Sequence, residues 1–309
     1  MQVTIPNQLL ERLATLGTVL RDEPMSGHTT FRVGGPAQVL VFPSGPRAAG
    51  DAVRLIRESR IPFTVIGGGS NLLVGDRGIP GITLSLGADG GWKGAIRREE
   101  DGTVYADATV LKEDFIAWCL DQGLEGTDFM AGIPGCLGGG IVMNAGTFMG
   151  NFADVLVKIG LITADGAMKT QEVRPDMAHY RCMDLEENSI VTGGWFRLLQ
   201  SSDTAPARAR IRAILDDRGS KHPLQYPSAG SVFKNPEGLS SWKLIDDAGL
   251  KGHRIGGAMV STLHTNFIVN YDRASAGDIR ALIEHVQETV SRRFKVSLHP
   301  EVRMVGEFA

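Results

Sequence analysis

The 309-residue sequence predicts an α+β protein, and three observations predict it. A strand–helix–strand run near the N-terminus ends in a glycine cluster. Two Asp-Gly turns in the middle each separate β-rich runs, and a strongly periodic helix near the C-terminus is flanked by short apolar runs. With 42% hydrophobic and 22% charged residues the composition is that of a globular chain long enough for two or three domains. Lysine plus arginine number 32 against 35 acids, and a net charge of -3 argues against a protein held by nucleic-acid phosphates. Glycine is the departure from average: its 39 residues follow no collagen period, so its clusters need local explanations.

Taken in order, Leu9, Leu13, Leu16 and Leu20 have the spacing of an amphipathic helix, without the basic and apolar regions of an export signal. Residues 38–42 read as a strand, 46–60 as a helix with Ala49, Ala52, Val53 and Ile56 on one face, and 63–66 as a second strand. That is a parallel βαβ unit. Asp101-Gly102 and Asp165-Gly166 read as hairpin turns, with Leu111, Phe115, Trp118 and Cys119 lining a helix between them. Val155, Val157, Ile159 and Leu161 alternate as in a strand with one buried face. Residues 129–153 carry no charge, but seven glycines, Pro134, Asn144 and Asn151 rule out a membrane span. Residues 201–206 read as a linker, and the helix beyond turns Ile211, Ile214 and Leu215 inward. Arg208, Arg210, Arg212 and Arg218 then form a solvated face with Asp216 and Asp217. A strand at 266–270, a helix at 275–294 (Ile279, Leu282, Ile283, Val286 and Val290 inward) and a strand at 296–298 complete a smaller α/β domain. The resulting segments are 1–87, 88–200 and 201–309.

Four regions carry candidate chemistry. Gly67-Gly68-Gly69-Ser70-Asn71 lies at the carboxyl end of a strand, where α/β sheets bind ligands; its main chain can approach a phosphate, and Ser70 and Asn71 add donors. A tight turn after a buried strand is the plainer reading. The cluster lacks the Gly-x-Gly-x-x-Gly pattern, and no Walker Gly-Lys pair occurs in the chain. A second uncharged loop holds Gly132, Ile133, Pro134, Gly135 and Gly138 and continues to Asn144. Two such loops suit an extended ligand of the shape of FAD, though other nucleotides or plain packing also fit. Ser231 stands in a polar, proline-bracketed stretch without a Gly-x-Ser-x-Gly elbow: a surface loop, or a proton donor near a reduced cofactor. Arg181, Glu301, His264 and His299 read equally as solvated or hydrogen-bonded side chains. Cys119, Cys136 and Cys182 stand far apart and no His-Glu-x-x-His occurs, so neither a metal site nor a disulfide framework is expected, and a reducing cytoplasm fits.

In chain order, residues 28–37 (HTTFRVGGPA), Gly67 to Val74, Gly132 to Gly146, Tyr180-Arg181, Gly230 to Pro236, 249–261 and 298–306 together resemble the UDP-N-acetylenolpyruvoylglucosamine reductase family. The resemblance implies a vanillyl-alcohol-oxidase-type FAD-binding fold of two subdomains followed by a C-terminal substrate domain. It implies a cytoplasmic enzyme of peptidoglycan precursor synthesis that uses NADPH and non-covalent FAD to reduce UDP-N-acetylglucosamine enolpyruvate to UDP-N-acetylmuramate. By motif match, Arg181 and Glu301 flank the enolpyruvyl carboxylate and Ser231 donates a proton. Lys221, Asn235 and His264 stand near the UDP-sugar, and Arg303 joins the two glycine loops and Asn144 as a flavin contact. The short stretch from Tyr180 to Gly230 matches the subclass without an extra tyrosine-bearing loop. Cys182-Met183-Asp184 after Tyr180-Arg181 departs from the family pattern. A monomer with no nucleic-acid or membrane partner is expected. The alternatives are an FAD-dependent sugar or alcohol oxidase or dehydrogenase, and a non-catalytic flavin or nucleotide-sugar binding protein.

Overall fold

The computed structural model describes residues 3–88 and 90–308. They cluster into two units. The first takes the residues up to Leu20, Val39–Gly68 and Gly81–Asp217; the second takes Arg21–Gln38, Gly69–Pro80 and Arg218 onward. The chain thus leaves and re-enters each unit, an interleaving that three contiguous segments do not contain.

The first unit has two cores. In one, Leu9, Leu10 and Leu13 of the helix Asn7–Ala14 and Ala49, Ala52, Val53 and Ile56 of the helix Pro46–Glu58 pack with a four-stranded sheet. Its strands run Gly17–Pro24, Pro36–Pro43, Ile79–Ser85 and Phe63–Ile66 in spatial order. The expected strands near 38–42 and 63–66 are therefore not neighbours, because Ile79–Ser85 lies between them and pairs in parallel with Phe63–Ile66. That strand is buried along nearly its whole length, as a central strand must be. The first helix also stops earlier than its leucine spacing suggests, and Leu20 belongs to the following strand. A Cβ on Gly17 would sit 2.0 Å from the Phe42 carbonyl oxygen, so glycine is what lets the chain turn there against the neighbouring backbone.

The other core lies under a five-stranded antiparallel sheet in the order Met168–Glu172, Leu156–Ile162, Ile190–Phe196, Val104–Asp107, Ile96–Arg98. Both Asp-Gly hairpins form, with Arg98 opposite Val104 and Ile162 opposite Met168. Leu156–Ile162 departs from the expected one-sided alternation. It is interior to the sheet and its register shifts twice against Ile190–Phe196, so Ile159 and Leu161 enter one core and Ile162 the other. The helix Lys112–Asp121 and the short helix Leu137–Val142 contribute to the same core. Along Ala205–Lys221, Ala207 and Ile211 are buried but Leu215 is exposed, contrary to its expected inward position. Arg208 pairs with Asp121 at 2.6 Å, and Arg210 with Glu125 at 2.8 Å and Asp128 at 3.1 Å, so part of the arginine face is tied to acids. Among the described residues no helix is long and apolar enough to cross a membrane.

In the second unit an antiparallel sheet runs Ser228–Ser231, Phe267–Asn270, Ala258–Val260, Arg254–Ile255, against the helix Ala276–Phe294. The five expected inward residues of that helix are all buried. Ser275 caps it reciprocally with Asp278, and Asp76 accepts from the Ala276 and Gly277 amides at 2.8 Å each. Residues 296–298 do not form the expected strand. Leu298 is buried, with its carbonyl accepting from Gln287 at 2.8 Å, while Pro300, which has no amide to donate, makes only an isolated bridge with Phe233. The strand comes later, at Arg303–Val305, parallel to Leu72–Val74.

Candidate functional site

In the first unit the two glycine loops adjoin. A Cβ built on Gly68 would lie 3.3 Å from Cys136 Sγ. Gly67 and Gly139 have no protein atom within 4 Å of where a Cβ would be, and neither needs a left-handed backbone. Neither packing nor dihedral strain demands glycine there, which fits a main chain kept bare for a ligand lying against it. The uncharged, glycine-lined surface therefore suits a flavin nucleotide. Ile133 donates to the Met130 carbonyl at 3.0 Å, and the Pro134 carbonyl accepts from Lys112 Nζ at 2.8 Å. The Gly138 amide is committed to the Ala108 carbonyl at 2.9 Å, so this glycine serves close packing rather than phosphate donation.

Arg181 sits in the two-residue loop of a hairpin whose strands are Ala178–His179 and Cys182–Met183. Its φ of 60° is left-handed, and its guanidinium lies 5.0 Å from the Tyr180 ring. Asn144, expected at the cofactor, is buried with both polar atoms engaged: its amide donates to the His179 carbonyl at 3.2 Å and its oxygen accepts from Ala153 at 3.0 Å. It thus holds the hairpin that carries Arg181. Cys182 is exposed on that hairpin, opposite His179.

In the second unit Thr30 donates to the carbonyls of Gly69 (3.3 Å, amide) and Ser70 (3.4 Å, hydroxyl). Asn71 donates its side-chain amide to the Glu301 carbonyl at 3.1 Å and accepts the Arg303 amide at 3.0 Å. The Glu301 amide in turn donates to the Val232 carbonyl at 2.7 Å, beside Ser231. Asn71, Ser231, Glu301 and Arg303, scattered along the sequence, are thereby gathered, with Ser231 and Glu301 half-buried. Buried Asn266 locks the next residue, taking the Phe233 amide at 3.0 Å and donating to its carbonyl at 2.9 Å. Lys221 is exposed, and Asn235 accepts from Ser241 at 3.0 Å.

His264 packs with the rings of Phe267 (4.9 Å) and His222 (5.4 Å), and its Nδ1 accepts from Asn266. Burial pushes this imidazole below its ordinary value, helped by the charge of Arg218 and opposed by a backbone hydrogen bond. The unfolded chain then binds the extra proton more readily. The stabilisation is complete above the ordinary imidazole value of about 6.5 and is lost as pH falls through the lower folded value. Thermal melts between pH 7.5 and 5 should show this decline, and His264→Gln should lessen it. An unaltered slope in the variant would remove His264 as its origin.

Two residues of this framework escape the sequence reading. The buried stripe of the 112–121 helix keeps the expected Phe115 and Cys119 but is completed by Lys112, Ile116 and Leu120, while Leu111 and Trp118 are only half-buried. The signal was the spacing itself, with a lysine at its first position. Asn266 gave no signal, since it reads as the polar first residue of the expected 266–270 strand, whereas the strand starts at Phe267.

Residues 37–171 match a family model described as FAD binding domain, and residues 222–305 match one described as UDP-N-acetylenolpyruvoylglucosamine reductase, C-terminal domain. A protein named UDP-N-acetylenolpyruvoylglucosamine reductase from Agathobacter rectalis is 41% identical over the full length of both chains. One of the same name from Geobacter metallireducens is 40% identical, over 94% of this chain and 95% of its own. The solved reductase of Thermus caldophilus superposes with a TM-score of 0.76 at 31% identity, over 94% of this chain and 99% of its own. The expected α+β class, an FAD-binding fold followed by a C-terminal domain, stands. The chain belongs to the UDP-N-acetylenolpyruvoylglucosamine reductase family and is an FAD-dependent oxidoreductase.

Proposed function

We propose that this protein reduces UDP-N-acetylglucosamine enolpyruvate to UDP-N-acetylmuramate with electrons from NADPH, as a cytoplasmic monomer in peptidoglycan precursor synthesis. What carries the reading is that two domain matches, in family order, sit inside relatives alike over the whole chain. Bound FAD would supply the two-electron chemistry, accepting hydride from NADPH and giving it to the vinyl β-carbon of the enolpyruvyl ether. The glycine loops 67–71 and 132–138, with Arg303, would hold it. Lys221, Asn235 and His264 would receive the UDP-sugar.

Hydride arrival at the β-carbon pushes negative charge onto the α-carbon and its carboxylate. Arg181 offers a planar fork that matches that carboxylate. Ser231 supplies the proton that completes addition across the double bond, its own proton being replaced through water or a neighbour. Glu301 assists only while protonated or accepting a hydrogen bond, because a bare carboxylate beside a developing anion repels it.

An anaerobic absorbance trace tests the whole. NADPH should bleach the flavin spectrum, and UDP-N-acetylglucosamine enolpyruvate should restore it. A flavin that this substrate leaves bleached, but that a simple sugar or alcohol reduces in place of NADPH and oxygen then reoxidises, would replace the reading with an oxidase.

A further inference from the structure

Lys112 opens the helix Lys112–Asp121 and is only 4% exposed. Burial disfavours the charge there, and the positive end of a helix dipole adds to the cost. The ammonium donates not to a carboxylate but to the Pro134 carbonyl, at 2.8 Å. The backbone of the same residue donates to the Gly135 carbonyl at 3.2 Å, so Lys112 clasps the loop through both main chain and side chain. A Cβ on Gly140 would lie 2.9 Å from Lys112 Cε and closer still to the Phe152 ring, so Gly140 leaves the room that the lysine stem occupies. Cys136, whose sulfur lies beside Gly68 of the other loop, is the titratable side chain that offsets the effect of burial on Lys112.

We infer that Lys112 is a positioning residue for the flavin: its buried ammonium fixes the Gly132–Gly138 loop through Pro134 and sets a positive charge behind both glycine loops, where an anionic cofactor gains from it. The inference rests on the FAD reading of those loops. Burial pushes Lys112 down to about 8, with Cys136 opposing, so the charge disappears as pH rises past that value.

The test uses full-length protein stripped of flavin and titrated with FAD, followed by quenching of flavin fluorescence. Lys112→Met is expected to weaken binding about 10-fold at pH 7. The melting temperature of the flavin-free variant should not fall below that of the wild type, because an apolar side chain of similar length in place of a buried charge is often neutral or stabilising. Wild-type affinity should decline several-fold between pH 7 and 9, a decline that Cys136→Ser keeps and Lys112→Met abolishes. Unchanged affinity in Lys112→Met overturns the inference. So does a pH-flat affinity in wild type and Cys136→Ser, a comparison that decides the matter alone should Lys112→Met fail to fold. Wild-type protein that binds no FAD would overturn the flavin reading itself, an outcome distinct from wild-type binding that the variant leaves untouched.

Discussion

Ser231→Ala is expected to leave reduction of the bound flavin by NADPH near its normal rate while slowing reoxidation by UDP-N-acetylglucosamine enolpyruvate by ~10²–10⁴-fold. The asymmetry follows from where the hydroxyl acts, since only the second half-reaction places a proton on carbon. Its neighbourhood suits a clean deletion. The strand Ser228–Ser231 is held through backbone pairing with Phe267–Asn270, and the adjoining Val232 carbonyl, not the serine side chain, receives the Glu301 amide at 2.7 Å. Removing one half-buried oxygen therefore leaves the scaffold intact. Rapid mixing that resolves the two half-reactions provides the measurement, and an equal loss in both would assign the serine to holding the fold or the cofactor.

Replacement of Arg181 gives the second large effect. Loss of one preorganised donor to a developing anion typically costs ~10²–10³-fold, about 3–4 kcal/mol in the transition state. Arg181→Lys should recover little of it, because a point charge does not reproduce the planar fork. Arg181→Gly is the more telling variant. The native residue has φ 60°, which costs a residue bearing a Cβ about 1–2 kcal/mol, and glycine relieves that strain while deleting the guanidinium. The variant should melt no earlier than the wild type yet lose kcat/KM by at least ~10²-fold. A drop in both would mean that the arginine serves the hairpin rather than the substrate.

Sequence patterning read some elements well because one physical signal dominated each. The helix Ala276–Phe294 combines an unbroken apolar stripe with a reciprocal Ser275–Asp278 cap, and both hairpins announce themselves by Asp-Gly. The strand Ile79–Ser85 escaped because burial on both faces erases alternation, and its proline and glycine look like a turn. Residues 296–298 mislead for the opposite reason: an alternating fragment before proline has no ladder to join. Candidate chemistry was legible as motifs, but the division of labour within them was not. Asn71 and Asn144 look like ligand donors in sequence, yet their side chains engage Glu301 and His179 respectively. Lys112 is hidden in the sequence because lysines almost always face water.

The lacing of Asn71 to Glu301 joins positions 230 residues apart, and the same seam continues where Gly75 donates to Val305 and Arg77 to Glu307. During translation the earlier strand must wait for its partner through about 10–50 s of elongation at ~5–20 residues per second. This seam can close only once the ribosome has delivered residues 301–307. A premature stop there would leave Leu72–Val74 as a bare edge, a target for chaperones or for aggregation.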